Sequence, residues 1–223
     1  MTRLRYDLAT AAAHLSARSR LMARLITRVG PATGLLELGS GPAPTLFFAL
    51  ARAITSQQLS TKAAATIFGR VEAALLATPS GNFSPEALAQ ADDATLRGAG
   101  LSAAKLLAMR DLAAHCADGR LPTMRGAARL GDDVLVERLT RVRGVGRWTV
   151  EMLLIFRLGR PDVFPIHDLG VQEGARRTFR LDERPSPAEL VALGAPLAPY
   201  RSLAAWYLWR ATELPPGALE DTE

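Results

Sequence analysis

Apolar residues recur along this chain at intervals of three and four, the spacing that stacks side chains on one face of a helix. Residues 8–28, rich in Ala, Leu and Arg, predict one amphipathic helix or two in tandem. A Gly- and Pro-rich stretch over 31–44 reads as a linker. Residues 46–76 carry two helical patterns interrupted near Gln57-Gln58. Pro79-Ser80-Gly81-Asn82 predicts a turn, Ser84-Pro85-Glu86 a helix start, and the glycines at 98 and 100 a further break. A helix follows over 102–116, with Ser102 placed as its N-cap. No sustained apolar/polar alternation announces a strand, and no segment repeats. The chain is predicted to be all-α.

The densest chemistry lies in Leu139-Thr140-Arg141-Val142-Arg143-Gly144-Val145-Gly146-Arg147-Trp148-Thr149-Val150, followed by Val163-Phe164-Pro165-Ile166-His167-Asp168. A helical pattern runs from Asp133 to Leu139, with Asp132 or Asp133 able to cap it. Gly144 and Gly146 are expected to take positive φ and to let another backbone approach closely. Helix resumes at about Arg147 and runs to Phe156. The first-turn N–H groups of such a helix lack intrahelical partners, and together with the helix dipole they suit a phosphate oxygen. Gly-Val-Gly alone would equally fit an ordinary helical hairpin, and Asp168 alone an ordinary N-cap of a helix over 169–177. A carboxylate arriving just beyond an anion-binding hairpin points to an enzyme acting on nucleic acid.

Bulk properties are consistent with that reading. The 223 residues, 48% hydrophobic, suffice for one large domain or two small ones, and no run approaches a membrane span. No signal-type apolar segment follows Met1, so a soluble, cytoplasmic protein is expected. Net charge is +5, which favours a polyanionic partner; an arginine-rich, GC-biased composition would give the same excess. All but two of the 27 basic residues are arginines, the exceptions being Lys62 and Lys105. Cys116 is the only cysteine, which rules out an internal disulfide and a four-cysteine iron–sulfur cluster. No His/Cys/Asp spacing suggests zinc.

The hairpin and the loop ending in Asp168 resemble the helix-hairpin-helix and Gly/Pro-rich loop motif of the DNA glycosylase superfamily. Gly144-Val145-Gly146-Arg147-Trp148-Thr149-Val150-Glu151-Met152 most resembles its 3-methyladenine DNA glycosylase II branch. Ala53-Ile54-Thr55-Ser56-Gln57-Gln58-Leu59-Ser60 resembles the DNA-intercalating loop of that family, and Pro199-Tyr200-Arg201-Ser202 through Trp206 and Trp209 its C-terminal helix. The matching segments span roughly residues 45–210. Only about 45 residues precede them, which implies the minimal helical form without the N-terminal β domain of some members. The implied organisation is an N-terminal helix and linker (1–44) packing with a C-terminal subdomain (158–223), a hairpin-bearing subdomain (45–157), and an active-site cleft between the subdomains.

The resemblance assigns roles residue by residue. Asp168, twenty residues after Trp148, takes the catalytic position. A base alkylated on a ring nitrogen is already cationic and departs without a strong general acid, so one carboxylate stabilising the sugar cation suffices. Gln58 or Leu59 would fill the gap left by the extruded nucleotide, Gln58 matching the wedge position. Ser60, Gly144, Gly146 and Thr149 complete the expected DNA contacts. Trp148 stands where strand-cleaving glycosylases carry a nucleophilic lysine, so no lyase activity is implied, and with Trp209 it offers an aromatic face to a cationic base. Met152 and Leu169 replace tyrosines of a well-known member, leaving a less aromatic pocket and a broad substrate range. His167 replaces an acidic neighbour, while His14 and His115 receive no role. Backbone carbonyls near Thr140, Val142 and Val145 would hold a Na+ or K+ ion, and no other cofactor is implied.

The expectation is thus a monomeric, monofunctional DNA glycosylase of base excision repair, acting on double-stranded DNA with alkylated bases. The alternative is a helix-hairpin-helix DNA-binding module without catalysis. Asp168 separates them, because a pure binding module has no need of a carboxylate there.

Overall fold

The computed structural model describes residues 4–38 and 45–219, and every regular element among them is helical. Contacts divide the chain into two units, residues 42–150 and residues 1–41 with 151–223. The sequence reading drew the C-terminal boundary after 157. The contact division instead cuts the helix Arg147–Phe156, because its later residues pack with the C-terminal helices, Phe156 stacking on Trp209 at 5.8 Å.

The 42–150 unit is built from α4 (Leu46–Ser56), α5 (Thr61–Leu76), α6 (Pro85–Gln90), α7 (Asp93–Gly98), α8 (Ala103–Ala117), α9 (Met124–Arg129) and α10 (Asp132–Leu139). Side-chain oxygens start most of them, from Thr45, Ser60, Ser84, Asp92, Ser102 and Thr123. Each accepts from a backbone N–H three residues on, a bond that removes one orphan donor and contributes about 1 kcal/mol. α4 carries the core, with Leu50 and Ile54 fully buried against α8 and α5. Beside them Phe47, Phe48, Phe68 and Phe83 interlock with centroids 4.9–5.6 Å apart.

The other unit joins both ends of the chain. α1 (Leu8–Arg18) and α2 (Arg20–Val29) divide at Ser19, whose side chain caps α2. α3 (Thr33–Leu38) is a short helix where only linker was expected; the rest of that predicted linker, 39–44, lies outside the described residues. α11 (Arg147–Phe156) leads in, followed by α12 (Leu169–Phe179), α13 (Pro187–Gly194) and α14 (Arg201–Ala211). α14 packs on α12, α1 and α2, and Tyr207 at its centre donates to the Gly30 carbonyl at 3.0 Å. α12 and α14 meet backbone to backbone at Gly174. A Cβ there would lie 1.9 Å from the Leu208 carbonyl oxygen, so no other residue permits this approach.

His14 and His115 have partners that the sequence did not reveal. His14 Nε2 bonds the Ala198 carbonyl oxygen at 2.8 Å and its ring packs edge-on against Tyr200. His115 is buried, bonded through Nδ1 to Asp111 O and through Nε2 to Arg120. Both are structural. Burial pushes the Cys116 thiol up to about 11, which disfavours the reactive thiolate. No helix among the described residues is long and apolar enough to cross a membrane.

Candidate active site and nucleic-acid interface

The hairpin is anchored from beneath and open above. Val142 and Val145 are buried, while Arg141, Arg143, Gly144, Gly146 and Arg147 are exposed. Two tight turns carry the chain across, Val142 N–H donating to Leu139 O at 3.1 Å and Val145 N–H to Val142 O at 3.0 Å. Gly144 adopts φ +76°, and its Cα faces α8 so closely that a Cβ would stand 3.2 Å from Ala108 Cβ. Gly146 does not match the expectation of positive φ and close approach. It is absent from the left-handed region, and open space surrounds the position of a Cβ. Its place is the threshold of α11, where its carbonyl accepts from Val150 N–H at 3.2 Å.

Two further expectations at the hairpin are corrected. Neither Asp132 nor Asp133 caps α10; Gly131 occupies the N-cap without a side-chain bond, and both aspartates lie in the first helical turn. Thr149 is only 7% exposed, so its side chain faces the core and is not available to a DNA surface.

Across the same unit, the loop between α4 and α5 presents Gln58 and Leu59 at the surface, with Leu59 37% exposed. Gln58 sits at φ +57°, an uncommon conformation for a residue with a Cβ. Ser60 is used locally: its hydroxyl oxygen accepts from Ala63 N–H at 3.3 Å and starts α5. Gln57, singled out only as part of the loop, joins that loop to the hairpin. Its Nε2 donates to Gly144 O at 2.8 Å. Lys105 Nζ donates to the Thr55 and Gln57 carbonyls at 2.7 and 2.8 Å, and Arg143 N–H donates to Asp111 Oδ2 at 2.7 Å. The one available signal for Lys105 was its rarity, a lysine in a chain of arginines.

The carboxylate lies in the other unit. Asp168 is the N-cap of α12 and its Oδ1 accepts from Val171 N–H at 2.7 Å and from Trp209 Nε1 at 2.8 Å. The loop before it is held by three further links. Arg201 pairs with Asp162 at 2.7 Å, Ser202 Oγ accepts from Val163 N–H at 2.9 Å, and Gln172 Nε2 donates to Ile166 O at 2.9 Å. Gly170 makes room for the Trp209 contact, since a Cβ would lie 2.9 Å from Trp209 Cδ1 and 3.1 Å from Asp168 Oδ1. Trp209, expected to line a base pocket, is thus also a support for the carboxylate. Leu169, 65% exposed, and half-buried Met152 belong to this unit, whereas Trp148, 50% exposed, belongs to the other. His167 is exposed.

The donor set proposed for a monovalent cation consists of neutral carbonyl oxygens. Val142 O already accepts one N–H, and a carbonyl has a second lone pair. Backbone carbonyl oxygens can replace the hydration shell of a monovalent cation, so the donor type fits Na+ or K+. Among the described residues no group of three or more His, Cys, Asp or Glu is arranged to hold a metal ion.

Residues 51–198 match the model of a family described as HhH-GPD superfamily base excision DNA repair protein. The chain is 42% identical over 166 residues to DNA-3-methyladenine glycosylase 1 of Schizosaccharomyces pombe, covering 74% of this chain and 72% of that protein. It is 32% identical over 209 residues to the alkylbase DNA glycosidase-like protein mag2 of the same yeast, covering 93% and 95%. Among solved structures, the S. pombe 3-methyladenine DNA glycosylase in complex with abasic DNA superimposes with a TM-score of 0.75 at 37% identity, covering 92% of this chain and 97% of that one. A DNA-3-methyladenine glycosidase from Bacillus halodurans superimposes with a TM-score of 0.68 at 33% identity, covering 86% and 89%.

Proposed function

This chain belongs to the HhH-GPD superfamily of base excision DNA repair proteins, and we propose that it is a DNA-3-methyladenine glycosylase hydrolysing the N-glycosidic bond of alkylated bases. The observation that carries this reading is Asp168, a carboxylate whose Oδ1 is fixed by two donors at the head of α12 in a chain so similar to such glycosylases. Helix capping alone accounts for the bond from Val171 N–H; the second donor, Trp209 Nε1, is what a DNA-binding module without catalysis gives no reason for.

The chemistry follows from the leaving group. A base alkylated on a ring nitrogen carries positive charge, so when the C1′–N bond breaks it takes the bonding pair and leaves neutral. The sugar is left with oxocarbenium character, which the Asp168 carboxylate stabilises at little reorganisation cost, because its orientation is already set. Water then adds to C1′ and yields its proton to the carboxylate or to solvent, leaving an abasic site. The nucleotide must first leave the stack, with Gln58 or Leu59 occupying the vacated space. Exposed Trp148 offers an aromatic face to the cationic base.

The finer features belong to the same proposal. Tryptophan at 148 supplies no amine for a Schiff base, so the enzyme releases the base without cutting the strand. Met152 and Leu169 bring no hydroxyl to read one particular base, which favours a broad range of cationic lesions. Gly144, Gly146 and the start of α11 meet phosphate, and the Thr140, Val142 and Val145 carbonyls would hold a Na+ or K+, whose positive charge would favour that contact. The enzyme acts as a monomer in the cytoplasm and needs no other cofactor.

The test is a panel of duplexes, each with a single 3-methyladenine, 7-methylguanine, 1-methyladenine or 3-methylcytosine, scored for base release and then for strand breaks with and without borohydride. Release from several substrates with no trapped adduct is expected. Release from none defeats the enzymatic reading, and an adduct defeats the monofunctional one.

A further inference from the structure

Helix α8 touches both loops that the glycosylase reading turns toward DNA, and it does so from one side of a single helix. Lys105 reaches the carbonyls of Thr55 and Gln57, Ala108 underlies Gly144, and Asp111 accepts from Arg143 N–H. Gln57 is consequently held at both ends, its carbonyl by Lys105 and its side-chain amide by Gly144 O. We propose that Lys105 is a positioning residue for the intercalating loop, and that through Gln57 it sets the reach of Gln58 and Leu59 relative to the hairpin. This proposal rests on the glycosylase reading above.

The argument starts at the end of α4. The last carbonyls of a helix have no intrahelical N–H, and they carry the negative end of the helix dipole. An ammonium satisfies both needs at once, and charge-assisted bonds of this kind are about twice as strong as neutral ones. Immediately afterwards the chain reverses through Gln58 at φ +57°. That conformation is strained for a residue with a Cβ and persists only where the surroundings impose it. Lys105 and the Gln57–Gly144 bond are restraints on the residue just before it. Both bear on the residue from which the exposed tip projects.

The residue type fits the task. A compact ammonium with three tetrahedral donors can meet two carbonyls of one turn, whereas a planar guanidinium needs more room and a different angle. In a chain where all but two of the 27 basic residues are arginine, a lysine stands at this position. Partial burial lowers the Lys105 pKa from the ordinary lysine value.

The test uses the full chain with Lys105→Met, which keeps the aliphatic stem, and Lys105→Arg, which keeps the charge. Single-turnover base release is measured on duplexes carrying the lesion paired and on duplexes carrying it in a one-nucleotide bulge, where extrusion needs little help from a wedge. Insertion of the loop is followed separately by 2-aminopurine fluorescence beside an abasic site. Lys105→Met is expected to lose roughly 10- to 100-fold on paired lesions, the scale of losing charged hydrogen bonds, and less than about 3-fold on bulged ones. Its aminopurine signal should fall in step, Lys105→Arg should recover part of both, and Leu59→Ala should reproduce the pattern. Equal loss on paired and bulged substrates, or no loss at all, would overturn the proposal in favour of a merely structural lysine. Should the native chain release no base from any substrate, the glycosylase reading fails, and the aminopurine signal still decides whether Lys105 positions the loop.

Discussion

Under the proposed function, the hairpin and the aspartate site solve the same problem, presenting polar groups to a charged ligand, by opposite means. At the hairpin the presenting groups are backbone, shaped by two tight turns and a left-handed glycine and steadied by buried valines on either side, the Gln57 amide and the Asp111 carboxylate. At Asp168 the presenting group is a side chain, and one of its donors, Trp209, comes from 41 residues away on a different helix. A site made of backbone is vulnerable to whatever alters φ and ψ. A site made of side chains is vulnerable to small changes in packing at a distance. The two should therefore fail differently, one losing grip on all DNA and the other losing chemistry with grip intact.

The sharpest separation comes from Asp168→Asn. Asparagine can still cap α12 and still accept from Trp209, so fold and DNA affinity should persist while base release falls roughly 100- to 1000-fold, the range for losing one preorganised electrostatic group. Near-native release by this variant, measured in single turnover, would remove the catalytic assignment.

Packing behind the carboxylate is tested at two glycines of α12. Gly174→Ala drives a methyl into the Leu208 carbonyl and should destabilise the protein by about 3 kcal/mol or more, read as a lower unfolding midpoint in urea. Gly170→Ala meets only the Trp209 ring and the carboxylate itself, so it should cost about 1 kcal/mol of stability yet roughly 10-fold in release. Equal stability losses at the two positions would show that α14 yields more readily than this geometry suggests.

The hairpin side is sharpened by its two glycines. Gly144→Ala forces a Cβ into the left-handed region against Ala108 and should weaken binding to lesion and undamaged duplexes alike by about 1–2 kcal/mol. Gly146→Ala meets open space and should change affinity by less than about 0.5 kcal/mol. Fluorescence anisotropy with both duplexes measures each, and a loss confined to lesion DNA would tie the hairpin to recognition of the base.

The smallest effect is acid-dependent. Arg176, three residues on, does most to hold Glu173 down to about 2, below its ordinary value; burial opposes it, and Arg177, four residues on, adds a further downward pull. A carboxylate depressed on folding contributes stability that is complete above its unfolded pKa, near 4.5, and is lost as pH falls through about 2. Glu173→Gln should therefore melt lower than the native chain at pH 7 and converge with it near pH 2. A gap that stays constant across that range would mean the ion pairs add nothing.

What was legible in the sequence is what depends on residues within about one helical turn of each other. Ser84, Ser102 and Asp168 announce their helices because the bond that starts each one joins residues three apart. The hairpin was legible because its apolar anchors and Gly144 sit in a single short run. The same local logic was present but unread at Ser186-Pro187-Ala188-Glu189, a capping box that begins α13. Six-residue α3 and α9 are too short to show a period.

Other features were decided only when helices met. That Gly144 needs its missing Cβ and Gly146 does not depends on Ala108, and that Trp209 supports Asp168 depends on α12 and α14 touching at Gly174. The bonds from Lys105 span 48 and 50 residues. Helix starts are set by hydrogen bonds the chain makes with itself over a few residues, so composition and spacing determine them. Contacts between distant residues form only after burial of apolar faces has chosen how the helices cross, and that choice belongs to the packed structure.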